Sequence, residues 1–476
     1  MNEFSDTYFF SAEEAYKVAS QQNKIERESQ IQVCYYDGEK IESELANLIY
    51  LPFDNMLHDL ATGRYRLPTA VNLDGLELSS TVKMGIMTNF NISLVEVRHY
   101  RNQYNKLYME NLQKAKLDFS EKLRFYLIAN ATTQVMQYVS KSIAKFLEDL
   151  GYDVFYDLYH GVEDIRCLKN ISAYNPHVTI NINHFNNRYI NDDCFNVVWF
   201  QDAMETLSDS VPLYIRPRDM VFSYAKLFTD LLLAKGMKKE SIFKQELIPV
   251  NIKEFFDDPN ITRDKQVVFV GSRYSRQQEE ITEEIDADLK ALLQEGKTFN
   301  HENIEAVFAK YKLQLLESEK QVALNYIQQS YTRNTVVEWA CDKHEMELYG
   351  YNWDKSENDA IKKNFRGSIS KENVNKLYNS ARYVLAASGQ VINTQRLGEL
   401  VHSGAIPLIY DSRDLTHEEE TWDDECLYFK TKSELEYILD NNIEPKVYKS
   451  DRMLDYFTYH SFINTILAEI KKGLSV

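Results

Sequence analysis

No C-x-x-C pair occurs in this chain, and no G-x-x-x-x-G-K-[ST], G-x-G-x-x-G or G-x-S-x-G. Each absence removes a chemistry. The five cysteines, Cys34, Cys167, Cys194, Cys341 and Cys426, are scattered and odd in number. They read as reduced thiols, with neither a disulfide framework nor a zinc site. Without a Walker-type loop the chain is not a P-loop enzyme, and without the dinucleotide fingerprint an NAD site is disfavoured. Without a nucleophile elbow it is not an α/β-hydrolase. No run of about 18 apolar residues exists, which argues against a transmembrane helix. The opening MNEFSDTYFFSAEEAYK has no basic start and no apolar stretch, which argues against a signal peptide and for a cytoplasmic location. Positive charge is also scarce: 54 Lys and Arg face 72 Asp and Glu, a net charge of -18. Such a chain repels polyanions, so nucleic-acid binding is a poor default, although a local basic spot can still hold a diphosphate. The acidic runs HEME (344–347) and THEEE (416–420) lack metal-ligand spacing and read as charged surface, so no metal is expected.

What is present is a normal globular composition, 44% hydrophobic and 26% charged, over 476 residues, enough for two or three domains. Residues 1–115 read as an accessory α+β domain. Ser11 and Glu14 mark a helix start, QIQVCYY a strand, and SLVEVRHY (93–100) another strand. From Lys122 strands and helices alternate. LRFYLIAN is followed by a helix with Val135, Val139, Ile143, Phe146, Leu147 and Leu150 at helical spacing, then come DVFYDLY, HVTININ and NVVWFQD. This pattern predicts a parallel sheet with covered faces over 120–255. Residues 251–265 read as a linker. A second alternating unit spans 265–450, with a helical insertion at 277–342, and a C-terminal helix at 451–476 follows, placed to pack back on the first sheet domain.

The most informative stretch is Ser388–Tyr410, SGQVINTQRLGELVHSGAIPLIY. It reads as a polar loop after a buried strand, then a short helix with Leu397, Leu400 and Val401 on one face. Gly404 closes that helix and another strand follows. In a doubly wound sheet such a loop lies at a strand's carboxyl end, where ligands bind. Asn393, Thr394, Gln395, Arg396 and Glu399 crowd this element. Glu399 is either a ribose-binding carboxylate or a solvated helix residue. Earlier, VFVGSRYSR runs a strand into Gly271, Ser272, Arg273 and Arg276. The arginines are either phosphate forks or the exposed end of a strand. In the first half, Asn130, His184 and Asp202 each follow a predicted strand. His184 is a candidate general base and Asp202 a second catalytic candidate, with His160 a weaker one.

The order of these elements resembles the group 1 superfamily of GT-B glycosyltransferases, most closely its spore-maturation branch. The carrying residues are VVFVGSRYSR (267–276), ELYGYNW (347–353), GSISKENVNKLYNSARYVLAAS (367–388) and NTQRLGELVHSGAIPLIY (393–410). The resemblance implies two Rossmann-like domains facing a cleft. It implies a nucleoside diphosphate sugar, UDP-linked by expectation, as donor substrate, with no other cofactor. A hydroxyl of a glycan or protein would be the acceptor. Arg273 and Arg276 would meet the diphosphate, Glu399 the ribose, and Arg396 would support the same pocket. Tyr349, Gly350, Asn352 and Ser368 would line the base. Retaining relatives carry a second glutamate eight positions before the ribose glutamate, where this chain has Val391. That departure keeps two alternatives in view: a nucleotide-sugar epimerase of the same fold, and a non-catalytic scaffold.

Overall fold

The structure, a computed structural model, describes residues 6–23, 32–35, 40–131, 134–161, 165–201, 212–223, 226–244, 250–274, 281–315, 320–389, 391–416 and 421–475. The chain forms two compact units, residues 1–244 with 466–476, and residues 245–465.

The first unit holds two parallel sheets. The smaller has β1 (Thr7–Phe9), β2 (Val33–Tyr35), β3 (Leu48–Tyr50) and β4 (Ala70–Asn72) in the order β3-β2-β1-β4. Every pairing in it is parallel, and its helices are interleaved with the strands. The larger has β5 (Arg124–Asn130), β6 (Asp153–Tyr159), β7 (Val178–Ile182), β8 (Phe195–Phe200), β9 (Asp219–Ser223) and β10 (Ile242–Lys244). Its order is β10-β9-β8-β7-β5-β6. All residues of β7, β8 and β9 are buried. Their polar members are hydrogen-bonded inside the unit: Thr179 and Asn181 donate to Asn196 Oδ1 at 2.8 and 2.7 Å, and the Asn196 amide reaches Asp219 at 3.3 Å.

One sequence expectation fails in this unit. Ser93–Tyr100 is not a strand; it lies inside a 35-residue helix, Ser80–Lys114. The buried residues are Phe90, Leu94, Val97 and Arg101, spaced for one helical face. Over Val95–Arg98 the sequence also alternates apolar and charged residues, which imitates a strand. The same helix ties the small sheet to the large one. Tyr108 donates to the Thr62 carbonyl at 2.9 Å, and Asn191 donates to the carbonyls of Leu112 (2.6 Å) and Ala115 (2.9 Å).

The second unit is built on β11 (Lys265–Val270), β12 (Met346–Tyr349), β13 (Phe365–Gly367), β14 (Ala381–Ala386), β15 (Ile406–Tyr410) and β16 (Leu427–Phe429). All pairs are parallel, in the order β13-β12-β11-β14-β15-β16. Between β11 and β12 lie three helices, Glu283–Gln294, His301–Lys310 and Lys320–Lys343. The first two pack against the third, and only the third is needed to return the chain to the sheet. Residues 251–265 are not a free linker. Phe255 is buried in this unit's core. Arg263 donates to the carbonyls of Tyr378, Ala381 and Ser403 and to Asp257. Those carbonyls sit at element ends that need donors, which holds the segment down. In the first unit, Gly473 of the C-terminal helix lies against Phe195. Among the described residues no helix is long and apolar enough to cross a membrane.

Candidate functional site

The winding of each large sheet reverses once. In the second unit the reversal falls between β11 and β14, in the first between β5 and β7. Outside the carboxyl ends at such a point the two loops part and leave a crevice. In the second unit the flanking loops are the segment after β11, from Gly271, and the segment after β14, ending at Thr394.

Glycines let these loops close in. A Cβ on Gly350 would stand 2.3 Å from the Gly271 carbonyl oxygen, and its φ of 138° suits glycine alone. Gly271 in turn donates to the Tyr349 carbonyl, and its own carbonyl accepts from the Trp353 indole at 2.6 Å. On the other side, a Cβ on Gly389 would lie 2.6 Å from the Thr332 hydroxyl oxygen. The long helix Lys320–Lys343 therefore reaches the β14 loop directly.

Two guanidinium groups converge here. The helix Gln395–His402 starts at Thr394, whose side chain accepts from the Leu397 amide. Its buried Leu397, Leu400 and Val401 fix its rotation, each burial contributing roughly 1.5–3 kcal/mol. That rotation lays Arg396 over the Phe269 ring, 5.1 Å from its centre, with one terminal nitrogen beside Gly271. Arg333, from the long helix, stacks over the Tyr274 ring at 4.5 Å and donates to the Ser272 carbonyl at 3.4 Å. Burial pushes Arg333 down to about 10, and the nearby Arg396 charge pushes the same way. The Arg333 Nε is buried without a hydrogen-bond partner. Among the described residues neither arginine forms an ion pair, and the buried Tyr378 hydroxyl lies within hydrogen-bond reach of Arg396.

Glu399 lies one turn after Arg396. Its carboxylate accepts from Gln395 Nε2 at 2.9 Å. Burial pushes it up to about 7, against the pull of Arg396, Gln395 and Lys371. Lys371 is itself paired with Glu254 at 2.8 Å. A carboxylate so placed can accept two vicinal hydroxyls, and two guanidiniums can hold a diphosphate by charge-assisted bonds.

Not every residue singled out by sequence takes part. Arg273 turns to the other side, onto a groove of about 390 Å³ shared with Lys290 and Glu338. There burial raises the Glu338 carboxyl, and Lys290 and Arg273 oppose the rise. Asn393 is buried and accepts the Trp422 indole at 2.6 Å, a structural commitment. The Tyr349 hydroxyl donates to Glu347 at 2.9 Å, back along its own strand. Ser272 accepts weakly from the Tyr351 amide. Asn352 has a φ of 67° and accepts from Lys355, and Ser368 is exposed just past β13. Gln395, Arg396 and Glu399 do come together. Arg276, Asp202 and Gln390 lie outside the described residues.

Arg333 was missed because nothing local marks it. It lies between Thr332 and Asn334, inside the stretch read only as a helical insertion. In the first unit His184 follows β7, next to Asn183, whose φ is 63°. Burial lowers the His184 imidazole below its ordinary value, so it is neutral near pH 7. Around it Gln137 donates to the Ala131 carbonyl at 2.8 Å and the Gln201 amide donates to Asn183 at 2.7 Å.

Residues 332–468 match the model of the family described as glycosyl transferase-like. That span contains Arg333, Arg396 and Glu399. No curated protein matches the chain in sequence. Among solved structures, the chain is similar to a sucrose-phosphate synthase from Thermosynechococcus elongatus, with 10% identity and a TM-score of 0.45 over 74% of this chain and 100% of that one. A glycosyltransferase from Rickettsia africae is similar at 10% identity and a TM-score of 0.44, over 74% and 99%. A putative UDP-N-acetylglucosamine 2-epimerase from Listeria monocytogenes follows at 11% identity and 0.38, over 75% and 97%. With TM-scores below 0.5, these likenesses assign no chemistry to the chain.

Proposed function

We propose that this protein is a glycosyltransferase that moves a sugar from a nucleoside diphosphate sugar to a hydroxyl acceptor. The observation that carries this is the convergence of Arg333 and Arg396, half-buried at the switch point of the second unit and outside any ion pair among the described residues. The match of residues 332–468 to glycosyl transferase-like proteins supports it.

In the reaction, a bond forms between the acceptor oxygen and the anomeric carbon. The bond from that carbon to the phosphate oxygen breaks, and the nucleoside diphosphate leaves with the electron pair. Arg333 and Arg396 would hold the diphosphate and stabilise the charge it gains as it departs. Their rings beneath, Tyr274 and Phe269, keep both forks oriented before the donor arrives. Glu399 would take the ribose hydroxyls, oriented by Gln395. The acceptor proton needs a base, and neutral His184 in the first unit is the candidate, with Asp202 the second residue proposed there. Because two fixed arginines carry the leaving charge, transfer is expected to survive chelation of divalent metal.

Calorimetry with UDP, GDP and their sugars tests this. Wild type is expected to bind at least one, and Arg396→Ala to bind it about 10–100-fold more weakly, the loss of one or two charge-assisted hydrogen bonds. Binding of none of these ligands by the folded wild type sinks the assignment.

A further inference from the structure

The helix Ser80–Lys114 has two apolar faces, and the first unit buries one of them. Phe90, Leu94, Val97 and Arg101 turn inward. The Phe90 ring lies 5.0 Å from that of Tyr8, and Arg101 donates to the Leu60 carbonyl at 2.9 Å. From Ser80 to Asn89 no residue is buried, so the first turns of the helix lie on the surface.

The second face carries Met84, Ile92 and Val95, which are 65%, 56% and 63% exposed, together with exposed Met87. Residues four, three and four apart follow one line along a helix, the spacing of a seam between two helices. Met84, Thr88, Asn91 and Val95 have that spacing, and all four are exposed. Met87 and Ile92 flank the line, one on each side. The Thr88 hydroxyl donates to the Met84 carbonyl at 2.9 Å, so its oxygen is left to accept.

Charge is scarce on this stretch. From Ser80 to Val95 the only charged residue is Lys83, in a chain with a net charge of -18. Two such chains repel each other, and they close most readily where neither brings carboxylates.

We propose that this face pairs with the same face of a second copy of the chain, the two helices antiparallel about a twofold axis. Such a contact requires a patch that complements itself. With the axis between Asn89 and Phe90, Met84 of each copy meets Val95 of the other, and Thr88 of each meets Asn91 of the other. The apolar pairs close the two ends, and in the centre each Asn91 amide donates to a Thr88 hydroxyl oxygen. A polar pair inside an apolar seam fixes register at some cost in stability. Gly85, with open space where a Cβ would stand, leaves room for Ile92 of the second copy. Ser80 to Val95 span about 24 Å of helix. A contact of that length covers less than the roughly 800 Å² per partner of a standard interface, so the dimer is reversible. The inference does not rest on the donor site, because every residue in it belongs to the first unit.

Sedimentation velocity of the full chain from about 1 to 200 μM tests this, the range in which a contact of this size dissociates. The wild type is expected to pass from monomer to dimer as concentration rises. Val95→Glu is expected to weaken the dimer tenfold or more. Leu107→Glu adds the same charge at an exposed position of the same helix off this face, and is expected to leave the dimer unchanged. Both positions are exposed, so both variants are expected to keep the wild-type melting temperature. Disulfide trapping reads the register, because the five native cysteines are buried. With diamide as oxidant, a mixture of Thr88→Cys and Asn91→Cys is expected to cross-link faster than either variant alone. Three results overturn the proposal: a chain that stays monomeric throughout, wild-type dimerisation in Val95→Glu, or either cysteine variant alone cross-linking as fast as the mixture. Capture of a monomeric chain by phosphatidylcholine vesicles would overturn it in favour of a lipid surface.

Discussion

The two switch points of this protein are built from different chemistry. In the second unit the crevice between β11 and β14 holds two guanidiniums and a carboxyl, with aromatic rings beneath the arginines. In the first unit the crevice between β5 and β7 holds amides, with Gln137 and Asn183 committed to the backbone and neutral His184 beside them. One end suits a dianion. On the proposed function, the other takes a neutral hydroxyl acceptor. The lesson is that similar topology leaves the ligand class open, and that the two crevices are distinguished by arginines that, among the described residues, form no ion pair. Arg263, in the same unit as the donor candidate, shows the contrast: its guanidinium is consumed by three carbonyls and Asp257, and it holds backbone together.

The largest effect is expected at the neutral end. His184→Ala should lower kcat by about 10²–10⁴, the usual worth of a general base, with donor affinity unchanged. Steady-state kinetics beside calorimetry checks this, and a loss confined to donor affinity would break the division between the two ends. Next, Arg396→Ala should weaken donor binding about 10–100-fold, and Arg396→Lys should recover only part, since an ammonium cannot make the fork or the flat stack on Phe269. Full rescue by lysine would mean that charge alone matters there.

A smaller effect concerns pH. Glu399 is pushed up to about 7 from 4.5 by burial. The folded state therefore holds a proton that the unfolded state has released between those values. Its contribution to stability is greatest below pH 4.5 and falls as pH rises through 7. Donor hydroxyls need the carboxylate, so donor affinity should move the opposite way and rise a few-fold from pH 6 to 8. Glu399→Gln should flatten both trends. Melting curves and titrations across pH 5–8 check the two signs, and a donor affinity that falls over this range contradicts the role given to Glu399.

Much of the second unit was legible in sequence. β14, its loop, the helix Gln395–His402 and β15 follow directly from a buried run, a 3.6-residue apolar pattern and Gly404, whose φ of 67° is that of a helix-closing glycine. The arginine that meets Arg396 was not legible. Arg333 lies about sixty residues from either loop, and tertiary contacts, Thr332 on Gly389 and Asn334 with the Tyr274 backbone, bring its helix to the crevice. Arg273 follows β11 in the loop, and nothing local says that its side chain turns toward Glu338. The strand expected at Ser93–Tyr100 failed for a related reason. Val95 and Val97 alternate with Glu96 and Arg98 as in a strand, whereas the residues actually buried, Phe90, Leu94, Val97 and Arg101, follow the helical period.

The central claim is that the donor clamp pairs Arg396 with an arginine from the crossover helix. Titrating UDP into Arg333→Ala and Arg273→Ala side by side tests it most directly. The account predicts a loss of about tenfold or more for Arg333→Ala and near wild-type affinity for Arg273→Ala. Wild-type affinity in Arg333→Ala, with the loss appearing in Arg273→Ala, would contradict it.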